Sequence, residues 1–297
     1  MDAGLTSLTV VLAAFIGVLG LLIGSFLNVV VYRVPAGMSI VSPPSACPGC
    51  GSEIKAYDNV PVLSWLALRG KCRSCHEPIS ARYPLVEAGV GVFFAVVAVW
   101  WWVAAAPAVS TSSIAGVGSI IGVSSTSETV ASVLILVAFL WLAGVSVSLA
   151  LIDLDTHKLP NAIVLPSYLV GGVLLAAAGI LNGDIDALIR AAVGMAALWA
   201  AYFLLAMLYP GGMGFGDVKL AGVLGIYLGF VGWGALLVGA FAAFFLGGIY
   251  AIALLLSKKA GRKSGIPFGP WMLAGAWVGI FAGNTLWTSY LSLLGVA

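Results

Sequence analysis

Residues 220–257 run for 38 positions without a charged side chain. Such a stretch is too long for one crossing of a bilayer, which takes about 20 apolar residues, and slightly short for two. A break near 229–234 divides it, leaving one of the two helices short. Residues 3–32 are likewise uncharged and contain a first span at about 8–31. Further spans read at about 88–106, 131–151, 160–181, 187–208 and 268–294, making eight in all. The N-terminal segment has no basic region and no small-residue cleavage site, so it reads as a retained anchor. The chain is 62% hydrophobic and 8% charged. About a quarter of an ordinary soluble domain is charged, which excludes that class. Runs this continuous point to helices and not to the weakly alternating strands of a β-barrel. The expected fold class is an all-α polytopic membrane protein of about eight transmembrane helices with a small loop domain in the hydrophilic stretch at 33–87.

The basic residues test that count. Twelve of the thirteen Lys and Arg fall in alternate connections: six within 33–82, then Lys158, Lys219 and four within 258–263. Only Arg190, near Asp184 and Asp186, falls on the other side. Positive charge collects on the cytoplasmic face, so an eight-span chain with both termini outside is expected. Residues 107–130, rich in Ser, Gly, Ala and Val with Glu128 as the one charge, read as a loosely ordered external loop. The net charge of +2 carries no sign of a nucleic-acid partner, and none is expected.

Carboxylates are scarce in this chain, eleven in 297 residues, and an ionisable group at a membrane boundary needs a reason. Asp217 lies in Gly-Phe-Gly-Asp-Val-Lys at 214–219, just before the sixth span. Asp153 and Asp155 follow the third. Two spans separate the clusters, so both return to one face at similar depth. Paired carboxylates share a proton, and one then activates water while the other polarises a carbonyl, the chemistry of an aspartic protease. Gly214 and Gly216 would let the backbone approach a substrate strand, and Lys219 would either steady a charge or sit among headgroups. A plainer reading makes each Asp a helix cap. Asp153 and Asp155 would point to different faces of a helix, so at most one meets Asp217. His157 reads as an interfacial residue.

All four cysteines lie in the first hydrophilic loop, as Cys47-Pro-Gly-Cys50 and Cys72-Arg-Ser-Cys75 with 21 residues between the pairs. Two such pairs are a strong signature of a four-thiolate zinc site. Disulfides compete, but a reducing cytoplasm disfavours them. Four thiolates around Zn2+ leave a net charge of −2, and Lys55, Arg69, Lys71 and Arg73 are placed to offset it. With no open position the zinc would be structural, a staple for a loop too small to hold a large core.

Six motifs in order give these residues a family resemblance. They are Gly24-Ser-Phe-Leu-Asn-Val-Val-Val-Tyr-Arg-Val-Pro35, the cysteine pairs, and Ser80-Ala-Arg-Tyr-Pro-Leu-Val-Glu87. Ile152-Asp-Leu-Asp with Leu159-Pro160, Gly214-Phe-Gly-Asp-Val-Lys219 and Ile266-Pro-Phe-Gly-Pro270 complete them. The chain resembles the type IV prepilin peptidases, membrane aspartyl proteases of the Gly-x-Gly-Asp type, over nearly its whole length. The resemblance implies that Asp153 and Asp217 are the catalytic pair, settling the choice between Asp153 and Asp155. It implies prepilin and pseudopilin substrates, each with a basic leader followed by an apolar helix in the bilayer. It also implies N-methylation of the new N-terminal residue with S-adenosylmethionine, associated with about 32–85, although no glycine-rich cofactor fingerprint lies there. Gly24, Asn28, Arg33, Arg82 and Glu87 are candidates to support that region, with structural roles equally open. The expected division is a first transmembrane helix at 1–31, a cytoplasmic zinc-binding region at 32–86 and a peptidase domain at 87–297. Asn161 stands where the family often has Asp. A different intramembrane protease of the Gly-x-Gly-Asp type, or an ion- or proton-coupled transporter, are the competing functions.

Overall fold

A computed structural model describes residues 3–105, 126–209, 213–257 and 266–296. Among them the backbone is almost entirely helical, as lipid requires, because a helix satisfies its own N–H and C=O groups without water. The chain forms two compact units, 1–125 and 126–297.

The first unit pairs α1 (Ala3–Arg33) with α3 (Arg82–Ala105), and between them lies a loop region holding the short helix α2 (Leu63–Ala67). Small residues allow the two long helices to touch: a Cβ at Gly24 would stand 2.8 Å from Glu87 Cα. The second unit holds α4 (Thr126–Thr156), α5 (Asn161–Asn182), α6 (Ile185–Leu208), α7 (Phe215–Val231), α8 (Trp233–Leu256) and α9 (Gly269–Leu293). Here α4 packs on α5, α6 on α7 and α8 on α9, and α7 also meets α5 and α9.

Eight long helices thus stand at the eight expected spans. Six of them, α1, α3, α4, α5, α6 and α8, are long and apolar enough to cross a membrane. The other two differ for visible reasons. Helix α7 has 17 residues, and α9 is diluted by Gly, Trp, Asn, Thr and Ser. Both carry much of the buried interior, with Leu220, Tyr227 and Leu228 of α7 and Met272 of α9 almost fully enclosed. Large apolar side chains face outward instead, as with Leu169, Phe241 and Leu256, so the unit is dressed for lipid and not for water.

The uncharged run at 220–257 breaks at Gly232, whose φ of 152° ends α7 and starts α8. Asn284 of α9 closes the break: its Oδ1 accepts from Ala235 N at 3.1 Å and its Nδ2 donates to Val231 O at 3.3 Å. One amide side chain therefore serves both a helix start and a helix end, groups with no partner inside their own helices. Of the loop expected at 107–130, residues 107–125 lie outside the described residues, whereas 126–130 already belong to α4. The basic residues expected at 258–263 also lie outside them.

Asn284→Ala leaves both backbone groups without that partner. We expect a loss of about 1–3 kcal/mol, read as a lower thermal unfolding midpoint of the purified protein in detergent.

Candidate aspartate pair and metal centre

Helix α4 runs five residues past its expected end, and this extension carries the acidic cluster. Asp153 is 5% exposed, whereas Asp155 is exposed, so the two face different ways as helical periodicity requires. His157, with φ of 53°, stops the helix. Asp153 Oδ2 accepts a hydrogen bond from Gly269 N at 3.0 Å, tying the end of α4 to the start of α9. Any side chain at 269 would collide, since a Cβ there would be 2.7 Å from that same oxygen.

Asp217 sits in the first turn of α7, where a carboxylate is favoured by the helix dipole. Its Oδ2 accepts from Gly214 N at 3.1 Å, and its own N–H returns to Gly214 O at 3.1 Å, a closed cap. Asp153 and Asp217 lie within electrostatic reach of each other. Leu159 sits between their helices, against Gly216 on one side and Gly269 on the other. The end of α4 and the starts of α7 and α9 thus come together around Leu159, with Asp153 and Asp217 on two of them.

Lys219 turns away from the aspartates. Its Nζ donates to Asn161 Oδ1 at 3.0 Å and lies 5.1 Å from the Phe215 ring centroid, linking the starts of α5 and α7. Tyr202 of α6 is a neighbour that the sequence reading missed. Its ring is buried against Phe244 and Phe268, the latter next to Gly269, which donates to Asp153. A tyrosine within an apolar helix carries no spacing signal, so only the fold reveals it. Gly269 was visible within a motif but without a role.

In the first unit the four cysteines converge, with their sulfurs all within 4.8 Å of one another and Cys47 Sγ 3.7 Å from Cys75 Sγ. A tetrahedron with Zn–S near 2.3 Å has sulfurs about 3.8 Å apart, so the donor set fits. Two matching turns bring them there. Cys47 N donates to Ser52 O and Gly51 N to Cys47 O; Cys72 N donates to Glu77 O and His76 N to Cys72 O. The residue after each second cysteine is left-handed, Gly51 at φ 71° and His76 at φ 59°. Hydrogen bonds from Ser52 draw the Cys50 thiol down to about 6, toward the thiolate that binds metal. Of the cations expected to offset the thiolates, Arg73 is committed elsewhere. Its Nε donates to Asp58 Oδ2 at 2.8 Å, which holds the Asp58 carboxyl below its usual range.

Two segments match known families: residues 18–101 match the bacterial peptidase A24 N-terminal domain, and 137–252 the type IV leader peptidase family. A prepilin leader peptidase/N-methyltransferase of Pseudomonas putida is 34% identical over 94% of this chain and 93% of its own length. Those of Aeromonas hydrophila and Neisseria gonorrhoeae are each 34% identical, covering 92% and 91% of this chain and 91% and 90% of their own. The chain belongs to the type IV leader peptidase family. No solved structure matches it.

As a member of that family, it is a peptidase with a multi-pass membrane body, and its four cysteines are positioned to hold a metal ion. The other motif residues of the first unit have polar tasks too. Asn28 Nδ2 donates to Tyr83 O at 3.2 Å, and Arg33 donates to Ser39 O at 2.9 Å and Pro43 O at 2.7 Å. Glu87, 9% exposed, accepts at Oε2 from Val62 N at 2.7 Å. Val62 has φ 61° and ψ −48°, and Leu63 N donates to Pro61 O at 2.6 Å, which makes a γ-turn of the rare positive-φ kind. A β-branched residue there stores strain of about 1–3 kcal/mol.

His76→Gly should relieve the left-handed turn without touching a thiolate. We expect unchanged metal content with stability equal or raised by up to about 1 kcal/mol, measured by metal analysis and thermal unfolding. Cys47→Ser or Cys72→Ser should lose the metal.

Proposed function

We propose that this protein cleaves the leaders of type IV prepilins and pseudopilins and then N-methylates the new N-terminus. The observation that carries the reading is that the helix ends bearing Asp153 and Asp217 lie together, with Leu159 packed against Gly216 beside Asp217 and against Gly269, which donates to Asp153, in a chain of the type IV leader peptidase family. In this reading the two carboxylates are the catalytic pair and hold one proton between them. The ionised carboxylate takes a proton from water as its oxygen attacks the scissile carbonyl. The protonated carboxyl polarises that carbonyl and afterwards protonates the departing amine. The backbone N–H groups of Gly214 and Gly269 fix the carboxylates from behind, so little reorganisation accompanies the proton movements. Gly216 keeps Leu159 close, and Lys219 holds α7 against α5 through Asn161.

The basic residues favour the inner membrane with the aspartates at its cytoplasmic boundary, where a prepilin's basic leader meets its apolar helix. The metal at Cys47, Cys50, Cys72 and Cys75 is zinc in this proposal, holding the loop region at 32–86. That region follows the first transmembrane helix at 1–31, and the peptidase domain is 87–297. S-adenosylmethionine supplies the methyl group when bound. The cavity of the first unit is lined by apolar side chains, which does not fit a nucleoside with an amino-acid tail, so the methyl transfer rests on family membership alone.

Asp153→Asn and Asp217→Asn should each lower leader cleavage a hundred-fold or more, by about the contribution of positioned proton transfer, while the protein still inserts in the membrane. Incubating purified protein with a prepilin and S-adenosylmethionine, then weighing the product's N-terminal peptide, reads cleavage and methylation separately. Full processing by either variant would overturn the assignment.

A further inference from the structure

In the second unit the two aspartates stand on different helix pairs. Asp153 is on α4, which packs on α5, and Asp217 is on α7, which packs on α6. The pairs meet where α5 lies against α7, and α9 touches both α4 and α7. The spacing of the two carboxylates therefore depends on how α5 and α7 are locked together.

Two tyrosines cross that interface in opposite directions. Tyr168 of α5 reaches to Gly222 of α7, whose missing Cβ leaves the room that the hydroxyl takes. Tyr227 of α7 reaches back to Gly171 of α5, where a Cβ would stand 2.6 Å from its oxygen. The packing is reciprocal, but the polar chemistry is not. The Tyr168 hydroxyl donates to Lys219 O at 2.6 Å, a short bond into the start of α7 two residues past Asp217. The Tyr227 hydroxyl is buried and, among the described residues, has no hydrogen-bond partner.

A phenylalanine would fill either socket, and a buried hydroxyl without a partner opposes folding, so packing alone does not call for a phenol. What the Tyr168 hydroxyl adds is a fixed point on α7 beside the carboxylate. Helix α5 in fact holds Lys219 twice, through Asn161 at Nζ and, two turns later, through Tyr168 at the carbonyl. The first bond is exposed and ends a flexible stem, so it locates α7 loosely. The second joins a rigid ring to backbone in a half-buried place, where little freedom is left.

We propose that Tyr168 is a positioning residue for leader cleavage: its bond to the Lys219 carbonyl fixes the start of α7 and so sets the distance of the Asp217 carboxylate from Asp153. The inference rests on the aspartate-pair reading above and concerns how that pair is spaced. Tyr168 acts through the backbone of α7 and handles no proton itself. Sharing of a proton between carboxylates and attack by an aligned water both depend steeply on distance, so a small displacement of α7 is felt as rate.

The test compares kcat, KM and the thermal unfolding midpoint of the purified full-length protein on one prepilin, with activity scaled to folded protein. Tyr168→Phe removes the bond and keeps the ring. It should lower kcat about tenfold with KM within about twofold, a smaller loss than the roughly hundredfold that a misplacement of about 1 Å can cost. Placing para-aminophenylalanine at 168 restores a donor and should return most of the rate. Tyr227→Phe is the control, because it removes an unbonded hydroxyl from the same interface. It should cleave at the wild-type rate and unfold at an equal or higher temperature. A Tyr168→Phe protein that unfolds earlier yet keeps its kcat would reduce the bond to ordinary packing and overturn the proposal. Equal losses from both phenylalanine variants, or a donor at 168 that rescues nothing, would do the same. If Tyr168→Phe does not fold, para-methylphenylalanine keeps the bulk of tyrosine without the donor and should be slower than para-aminophenylalanine; equal rates would overturn the role. Asp217→Asn is run alongside. Full cleavage by that variant would sink the aspartate pair itself, whereas an inactive Asp217→Asn beside an unimpaired Tyr168→Phe would sink only the role of Tyr168.

Discussion

The aspartate site depends on backbone N–H groups at helix starts being met by carboxylates. Gly269 N has no partner within α9, and Asp153 supplies one from 116 positions earlier in the chain. Gly214 N, at the start of α7, finds Asp217 three positions on. Each bond fixes a side chain and a helix together. Leu159 then fills the space between the two starts, which is open because Gly216 and Gly269 have no Cβ. Chemistry and architecture consequently use the same atoms: the oxygens that would handle protons also decide where α7 and α9 begin. The plain capping role considered for these aspartates is present in the structure, alongside whatever chemistry they perform.

The first unit is organised on a different principle. With no large core of its own, the region between α1 and α3 is held by four converging thiols and by single polar bonds to the helices. Arg33 gathers Ser39 and Pro43, Asn28 reaches the first turn of α3, and Glu87 grips Val62. Each grip uses a polar side chain near a membrane boundary, where such groups reach backbone atoms that water does not fully satisfy.

Much of this was legible beforehand, for reasons that differ by element. Uninterrupted apolar runs announced the helices, and even the break at Gly232 could be placed, because 38 uncharged residues overfill one crossing. Cysteine spacing announced a metal site because two short chelating turns leave few other uses. Periodicity alone could say only that Asp153 and Asp155 face apart, and burial of Asp153 now shows which one turns inward. What stayed hidden depends on tertiary contact. Tyr202 has neighbours from α8 and the approach to α9, and the turn of Lys219 toward Asn161 joins helices 58 positions apart. Helix α4 is longer than the apolar span at 131–151 because its backbone stays helical through the polar flanks at 126–130 and 152–156.

The double duty of Asp153 has a practical consequence. An asparagine in its place still offers an oxygen to the amide of Gly269, so under the proposed mechanism the scaffold closes around a centre that no longer cleaves. Such a protein would hold an uncut precursor without consuming it, giving a trap in which the bound substrate could be seen.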